Sequence, residues 1–213
     1  MTPYYDRDGI TIWHADCRDV LPDIDPATVG LLLTDPPYGI NANLDYARFT
    51  SGKTYTTPIE GDLVAFDPSH LMGYERVCLF GANHFAPSLP HGGRWIVWRK
   101  RGASPLLAAA ELAWHNLGGR SVDYFESTVK GMKVREGAVH PTQKPVALMR
   151  WIIDRWTKPG DLVLDPYMGS GPVAQACHEL GRRYIGIELV EDYCKVAVSR
   201  LAQQTLDLDG GAV

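Results

Sequence analysis

Two short stretches hold the residue types that could do chemistry. Asp35-Pro36-Pro37-Tyr38 sets a carboxylate, a backbone carbonyl stiffened by prolines and a flat phenol ring within four positions. Two acceptors beside a stacking surface suit the amino group of a planar base: each amino hydrogen gains a partner and the ring gains a face to lie on. A strand that simply ends in an Asp-Pro turn fits the same four residues equally well. The second stretch is Asp165-Pro166-Tyr167-Met168-Gly169-Ser170-Gly171-Pro172, with Glu188 standing 23 residues after Asp165. Gly169 and Gly171 allow backbone to approach a ligand closely, and a carboxylate at Glu188 can take two ribose hydroxyls. The plan of strand, glycine turn, helix, strand and acid is that of a half-site for a nucleoside cofactor. There is no third glycine and no Gly-Lys-Ser/Thr, so neither a dinucleotide nor a triphosphate is the expected ligand.

Both stretches need strands that end where they begin. The apolar run from Val29 to Thr34 reads as a buried parallel strand opening into the Asp35 loop, and Leu162-Val163-Leu164 reads as a second one opening at Asp165. A helix from Pro172 to Leu180 stops at Gly181, and a strand from Tyr184 to Ile187 delivers Glu188. Ile10 to His14 is a further strand, followed by a short helix from Cys17 to Leu21. That puts Asp16 on the same rim, either as cap of that helix or as a ligand contact.

Between these lie Asp67-Pro68 opening a helix to Tyr74, a strand from Arg76 to Phe80, a helix from Ala82 to Leu89 and a strand from Arg94 to Trp98. Residues 103–117 fit either an Ala-rich helix or an edge strand, and Ser121 to Val129 alternates like a strand. Pro145 opens a helix whose Met149, Ile152, Ile153 and Trp156 recur on one face. A last amphipathic helix runs from about Glu191 to Gln204, and the tail from Asp207 reads as disordered. The alternation predicts an α/β fold, a mostly parallel twisted sheet with helices on its faces. Residues 39–62 show no periodicity and many turn formers, which predicts a flexible loop covering the site.

With 213 residues, 45% of them hydrophobic, one domain spanning 1–213 is the default. No apolar run approaches a membrane span and the N-terminus has no leader pattern, so a cytoplasmic protein with no membrane partner is expected. Cys17, Cys78, Cys177 and Cys194 are far apart in apolar patterns, reading as reduced core residues, and no metal site is indicated. Net charge is -4, yet the stretch from Arg94 to Arg135 holds eight basic residues against three acids, a local excess of +5. Phosphate binding needs only a local patch, so nucleic acid is an allowed partner; a solvated basic face is the alternative.

Taken together, three segments carry a resemblance: Thr34 to Gly39, His140-Pro141-Thr142-Gln143-Lys144-Pro145, and Asp165 to Gly171 with Gly186-Ile187-Glu188-Leu189. In this order, over most of the chain, they resemble the S-adenosylmethionine-dependent DNA amino-methyltransferases of the N6-adenine/N4-cytosine type, in the permuted arrangement where the catalytic motif precedes the cofactor motif. The resemblance implies a Rossmann-like methyltransferase fold, S-adenosyl-L-methionine as cofactor, and double-stranded DNA with a flipped target base as substrate. It implies that Asp35 and the Pro36 carbonyl, next to Pro37, grip the target amine while Tyr38 stacks on the base. Asp165, Pro166, Tyr167, Gly169, Ser170 and Gly171 would line the methionine end of the cofactor, Glu188 its ribose, Lys144 its carboxylate and Asp16 its adenine.

Lys144 has a plainer reading as a helix lysine pointing to water. Pro172 departs from the hydroxyl residue usual after Gly-Ser-Gly, which withdraws one N–H and one hydroxyl from the cofactor contacts but suits a helix's first turn. DNA recognition would fall to 99–139, with Arg99, Lys100, Arg101, Arg120, Lys130, Lys133 and Arg135 as phosphate binders. A reader that small implies a short site, relaxed specificity or a homodimer that adds contacts. Adenine N6 is the first choice of acceptor because the Asp form of the motif is commoner among adenine enzymes. Cytosine N4 and a non-catalytic protein binding cofactor or nucleic acid are the alternatives.

Overall fold

A computed structural model of the chain describes residues 1–40, 61–102, 108–128 and 143–209. The chain divides into two compact units, one comprising Met1–Thr34, Tyr74–Val77 and Gln143–Val213, the other Asp35–Gly73 and Cys78–Thr142.

In the first unit, β1 (Tyr5–Arg7) and β2 (Ile10–His14) form a hairpin. Its turn is Asp8-Gly9, both residues at positive φ (54° and 77°), as an Asp-Gly two-residue turn requires. The helix α1 (Cys17–Val20) follows, capped by the Asp16 carboxylate on the Arg18 N–H. Strands β3 (Leu31–Thr34), β8 (Leu162–Asp165) and β9 (Arg183–Glu188) complete a sheet in the order β1-β2-β9-β8-β3, in which β2, β9, β8 and β3 run parallel. All four residues of β3 and of β8 are buried, the signature of strands covered on both faces. Register aligns His14 with Glu188 and Asp165 with Gly186.

The helix α2 (Val146–Trp156) buries Met149, Ile152, Ile153 and Trp156 as the periodicity predicts, each such side chain worth about 1.5–3 kcal/mol of burial. It packs on α3 (Pro172–Leu180), which packs in turn on α4 (Glu191–Asp209). Pro172 opens α3 at its first position, and left-handed Gly181 ends it.

The second unit holds β4 (Val77–Phe80) from Cys78 onward, β5 (Arg94–Arg101), β6 (Ala110–His115) and β7 (Val122–Thr128) in the order β4-β6-β5-β7. Only β5 and β7 run parallel; β6 is antiparallel to both its neighbours. The mixed character of 103–117 therefore resolves for 110–115 as a strand. Ala113, Trp114 and His115 are buried between two partners, and that pairing outweighs the helix propensity of alanine.

Three expectations need correction. The helix from Asp67 is a single 3-10 turn, Ser69–Leu71, in which the Asp67 carboxylate takes the N–H and hydroxyl of Ser69. The helix from Ala82 is two 3-10 turns, Ala82–His84 and Ala86–Ser88, broken at Phe85 (φ −129°). Pro87 supplies no N–H for a continuous helix and its ring crowds the turn before it. The last helix continues to Asp209, so residues 207–209 are helical.

The four cysteines are free and buried. Among the described residues no helix is long and apolar enough to cross a membrane. No cluster among them could hold a metal ion.

Candidate active site

In the second unit, Asp35 begins the loop that follows β3, half-buried, with Pro36 buried beside it. The Tyr38 hydroxyl donates to Asp35 Oδ1 at 2.5 Å, so the phenol and the carboxylate form one group. The Tyr38 ring is set by two neighbours that the motif does not announce. Gly81 has φ 67°, and a β-carbon there would sit 1.8 Å from Tyr38 Cε1, so only glycine admits the ring. His84 lies nearly parallel to it, at 5.1 Å between centroids and 16° between planes. The stacking surface expected for a base is thus already paired with an imidazole. At its backbone, Tyr38 donates its N–H to Asp62 Oδ1. Of the predicted loop, Gly39, Ile40, Gly61 and Asp62 are described; residues 41–60 lie outside the described residues.

In the first unit, the turn after β8 is built on Asp165. Its carboxylate is 2% exposed and accepts from the Thr34 hydroxyl (2.6 Å), the Tyr184 hydroxyl (3.2 Å) and the Tyr167 N–H (3.3 Å). Asp165 therefore faces protein, tying the last residue of β3 to the first residues after β8. Pro166 is buried with it. Tyr167 is half-buried and shares a hydrogen bond with the Cys17 thiol; burial is the main cause that pushes its phenol above the usual range.

The two glycines divide their duties. Gly169 (φ 54°) has open space where a β-carbon would stand. Gly171 (φ 79°) is demanded by packing, because a β-carbon there would lie 2.7 Å from Cβ of Ala197 on α4. The same helix supplies Arg200, whose guanidinium donates to the Ser170 carbonyl (3.2 Å) and to Gln143 Oε1 (2.6 Å). Ser170 is buried and its hydroxyl also reaches Gln143 Oε1.

Glu188 accepts the Gly169 N–H on Oε2 and the Val190 N–H on Oε1, both at 2.8 Å. Burial pushes its carboxyl above the usual glutamate range, against the pull of those N–H groups. A carboxylate offers about four lone-pair positions, so beside these backbone N–H groups there is still acceptor capacity for a hydroxyl. Lys144 is 3% exposed, which removes the reading of a lysine pointing to water. The Asp16 carboxylate caps α1 and is paired with the Arg18 guanidinium at 2.5 Å.

Of the expected phosphate binders, Arg99 and Arg101 project from the same face of β5 and both pair with Glu126 at 3.3 Å. Lys100 pairs with Glu111 and lies over the Trp98 ring. Arg99 and Arg101 are about two-thirds exposed (62% and 66%), and pairs this exposed are held weakly against water and salt, so both guanidiniums can still meet another anion. Arg120 is exposed. Lys130, Lys133 and Arg135 lie outside the described residues, as do His140, Pro141 and Thr142.

Sequence reasoning missed Thr34, Asp62, Gly81, His84 and Arg200. Only Asp62, an acid after glycine where the aperiodic stretch ends, offered a local signal.

The chain is similar to known proteins along most of its length. The family model for N6/N4 methyltransferases, described as DNA methylase, matches residues 94–199. The Type II methyltransferase M2.DpnII of Streptococcus pneumoniae is 26% identical, with 93% of this chain and 92% of that protein covered. The crystal structure of the M1.HpyAVI-SAM complex superposes with a TM-score of 0.58 at 27% identity, covering 90% of this chain and 98% of that one. PvuII DNA methyltransferase, described as cytosine-N4-specific, shares the fold at 14% identity with a TM-score of 0.64, covering 94% of this chain and 89% of that one. These matches, spanning the strands, the glycine turn and the helices described above, make the chain similar over most of its length to DNA methyltransferases of the N6/N4 type.

Proposed function

We propose that the protein transfers a methyl group from S-adenosylmethionine to the N6 amino group of adenine in double-stranded DNA. The observation that carries this reading is the Asp35 carboxylate, half-buried at a strand end and bonded to the hydroxyl of Tyr38. Asp35 and the Pro36 carbonyl take the two amino hydrogens of a base that has left the duplex, and Tyr38 offers a ring to offset part of the lost stacking. An exocyclic amine on a purine is a poor nucleophile because its lone pair is delocalised. Two hydrogen bonds to its N–H groups favour a pyramidal nitrogen with the lone pair aimed at the methyl. Positive charge then builds on that nitrogen, so the Asp35 carboxylate stabilises the transition state more than the ground state.

When bound, the cofactor supplies an electrophilic methyl on a sulfonium. Glu188 would hold its ribose hydroxyls, the Gly169 backbone leaves space beside it, and buried Lys144 fits the neighbourhood of its carboxylate. Arg99, Arg101 and Arg120 serve as phosphate contacts. A cytoplasmic setting suits the free thiols.

The test is to incubate the full chain with labelled S-adenosylmethionine and unmethylated DNA or RNA, then identify modified nucleosides by mass spectrometry. N6-methyladenine in DNA is the expected product. N4-methylcytosine would move the reading to the other base, and no labelled nucleoside at all would end it.

A pH dependence follows from Glu188. Its carboxyl is raised in the fold relative to the unfolded chain. The fold therefore binds that proton more tightly, and the group's contribution to stability falls as pH rises from the unfolded value to the folded one. Cofactor binding runs the other way, because ribose hydroxyls donate better to the charged form. Calorimetry across a pH series should show affinity for S-adenosylmethionine weakening on acidification, with a midpoint above the ~4.3 of an ordinary glutamate. Glu188→Gln should flatten that profile, and an unchanged midpoint in this variant would remove Glu188 from the ribose.

A further inference from the structure

We propose that Asp62 is a positioning residue for the Asp35–Tyr38 motif, a role that rests on the methyltransferase reading above. One oxygen of its carboxylate, Oδ1, accepts three successive backbone N–H groups: Tyr38 at 3.0 Å, Gly39 at 2.8 Å and Ile40 at 3.3 Å. A left-handed residue next to a right-handed one turns consecutive N–H groups toward one point, and Gly39 (φ 73°) supplies the left-handed turn. Such a concavity binds anions, and here the anion is a side chain of the same unit. Asp62 is 4% exposed, so these charge-assisted bonds are shielded from competing water.

The packing around it has no slack. A β-carbon on Gly39 would lie 2.3 Å from the Val64 carbonyl oxygen, and one on Gly61 would lie 3.3 Å from Pro37 Cγ. Residues 61–65 thus lie directly against residues 37–39. Tyr38 is then held at both ends, its N–H by Asp62 and its hydroxyl by Asp35. The residue that fixes the backbone of Tyr38 also fixes where its hydroxyl meets the Asp35 carboxylate. Asp62 touches neither base nor cofactor in this scheme; it acts through the loop it holds.

The experiment compares Asp62→Ala and Asp62→Asn with the wild type in the full chain. Hydrogen exchange of a peptide spanning 36–40 should be slow in the wild type and faster by about 10-fold or more in Asp62→Ala. The kcat for methyl transfer to unmethylated DNA should fall about 100-fold, the scale of a misplacement near 1 Å. KM for DNA and Kd for S-adenosylmethionine should stay within about threefold, since the phosphate contacts and the Glu188 turn are untouched. Asp62→Asn keeps a neutral acceptor and should recover part of kcat.

A kcat within about threefold of wild type in Asp62→Ala would overturn the proposal alone. A loss of kcat matched by loss of cofactor binding would also overturn it, by showing a general structural role. Fast exchange of residues 38–40 in the wild type would refute the geometry. Slow exchange with no transfer to any nucleic acid would instead bring down the methyltransferase reading, and the positioning role with it.

Discussion

Asp35→Ala should all but stop methyl transfer while leaving S-adenosylmethionine binding intact. The expected loss is on the order of 1000-fold, at the upper end of what removing one charge-stabilising group costs. The size follows from what disappears: a hydrogen-bond acceptor for the amine and a negative charge beside a nitrogen that becomes positive during transfer. Binding should survive because the groups proposed to hold the cofactor, the Glu188 carboxylate and the Gly169 backbone, belong to a separate set of contacts. Tyr38 loses the partner of its hydroxyl in this variant, but its ring still lies on Gly81 and beside His84. Asp35→Asn keeps one acceptor without the charge and should fall between. Turnover of the alanine variant within about tenfold of wild type would remove Asp35 from the chemistry.

Asp165→Ala should produce the largest loss of stability of any single substitution proposed here. The carboxylate is 2% exposed, and its three donors include the hydroxyls of Thr34 and Tyr184, themselves 1% and 0% exposed. Removing it takes that acceptor from two hydroxyls in a space water does not reach, while the Tyr167 N–H keeps the Thr34 hydroxyl oxygen. Breaking such a network costs about 3–5 kcal/mol, which corresponds to a melting temperature lower by on the order of 10 °C for a chain of this size.

Scanning calorimetry reads the shift directly. Adding Tyr184→Phe to Asp165→Ala should cost less than the sum of the two single changes, because it removes a donor already orphaned, whereas Thr34→Val also takes away the hydroxyl oxygen that accepts the Tyr167 N–H at 3.2 Å. Full additivity would show that Asp165 and Tyr184 do not act as a network.

The parts of the fold legible in sequence were those whose signals are local. Short apolar runs marked β2, β3, β8 and β9, and Pro172 with Gly181 marked both ends of α3. Elements defined by partners were not legible. Ala110–His115 is a strand because β4 and β5 flank it, and its alanines say nothing of that. The β1–β2 hairpin had a visible Asp-Gly turn, but Tyr5–Arg7 is too short and too polar to announce a strand.

The same division runs through the site. Asp35, Glu188 and the glycine turn stand at ends of readable strands. Gly81, His84, Asp62 and Arg200 matter through neighbours 43, 46, 24 and 30 positions away, at Tyr38 for the first three and at Ser170 for the last, and spacing alone encodes none of these. Gly171 shows how a correct residue can carry a different reason. Its missing side chain makes room for Ala197, while the open space belongs to Gly169.

The parallel stack of His84 on Tyr38 changes what a planar ligand gains by docking on that ring. A base arriving on the face His84 covers does not meet bare aromatic surface; it trades places with an imidazole. The free energy available is the difference between two stacks, a fraction of the ~1–3 kcal/mol that a base on an unoccupied ring can yield. On that face, in the proposed reading, affinity for an extruded base would come mainly from polar contacts that read its edge. A site arranged in this way would exchange tightness for discrimination, releasing a base whose edge does not match as readily as it admits one.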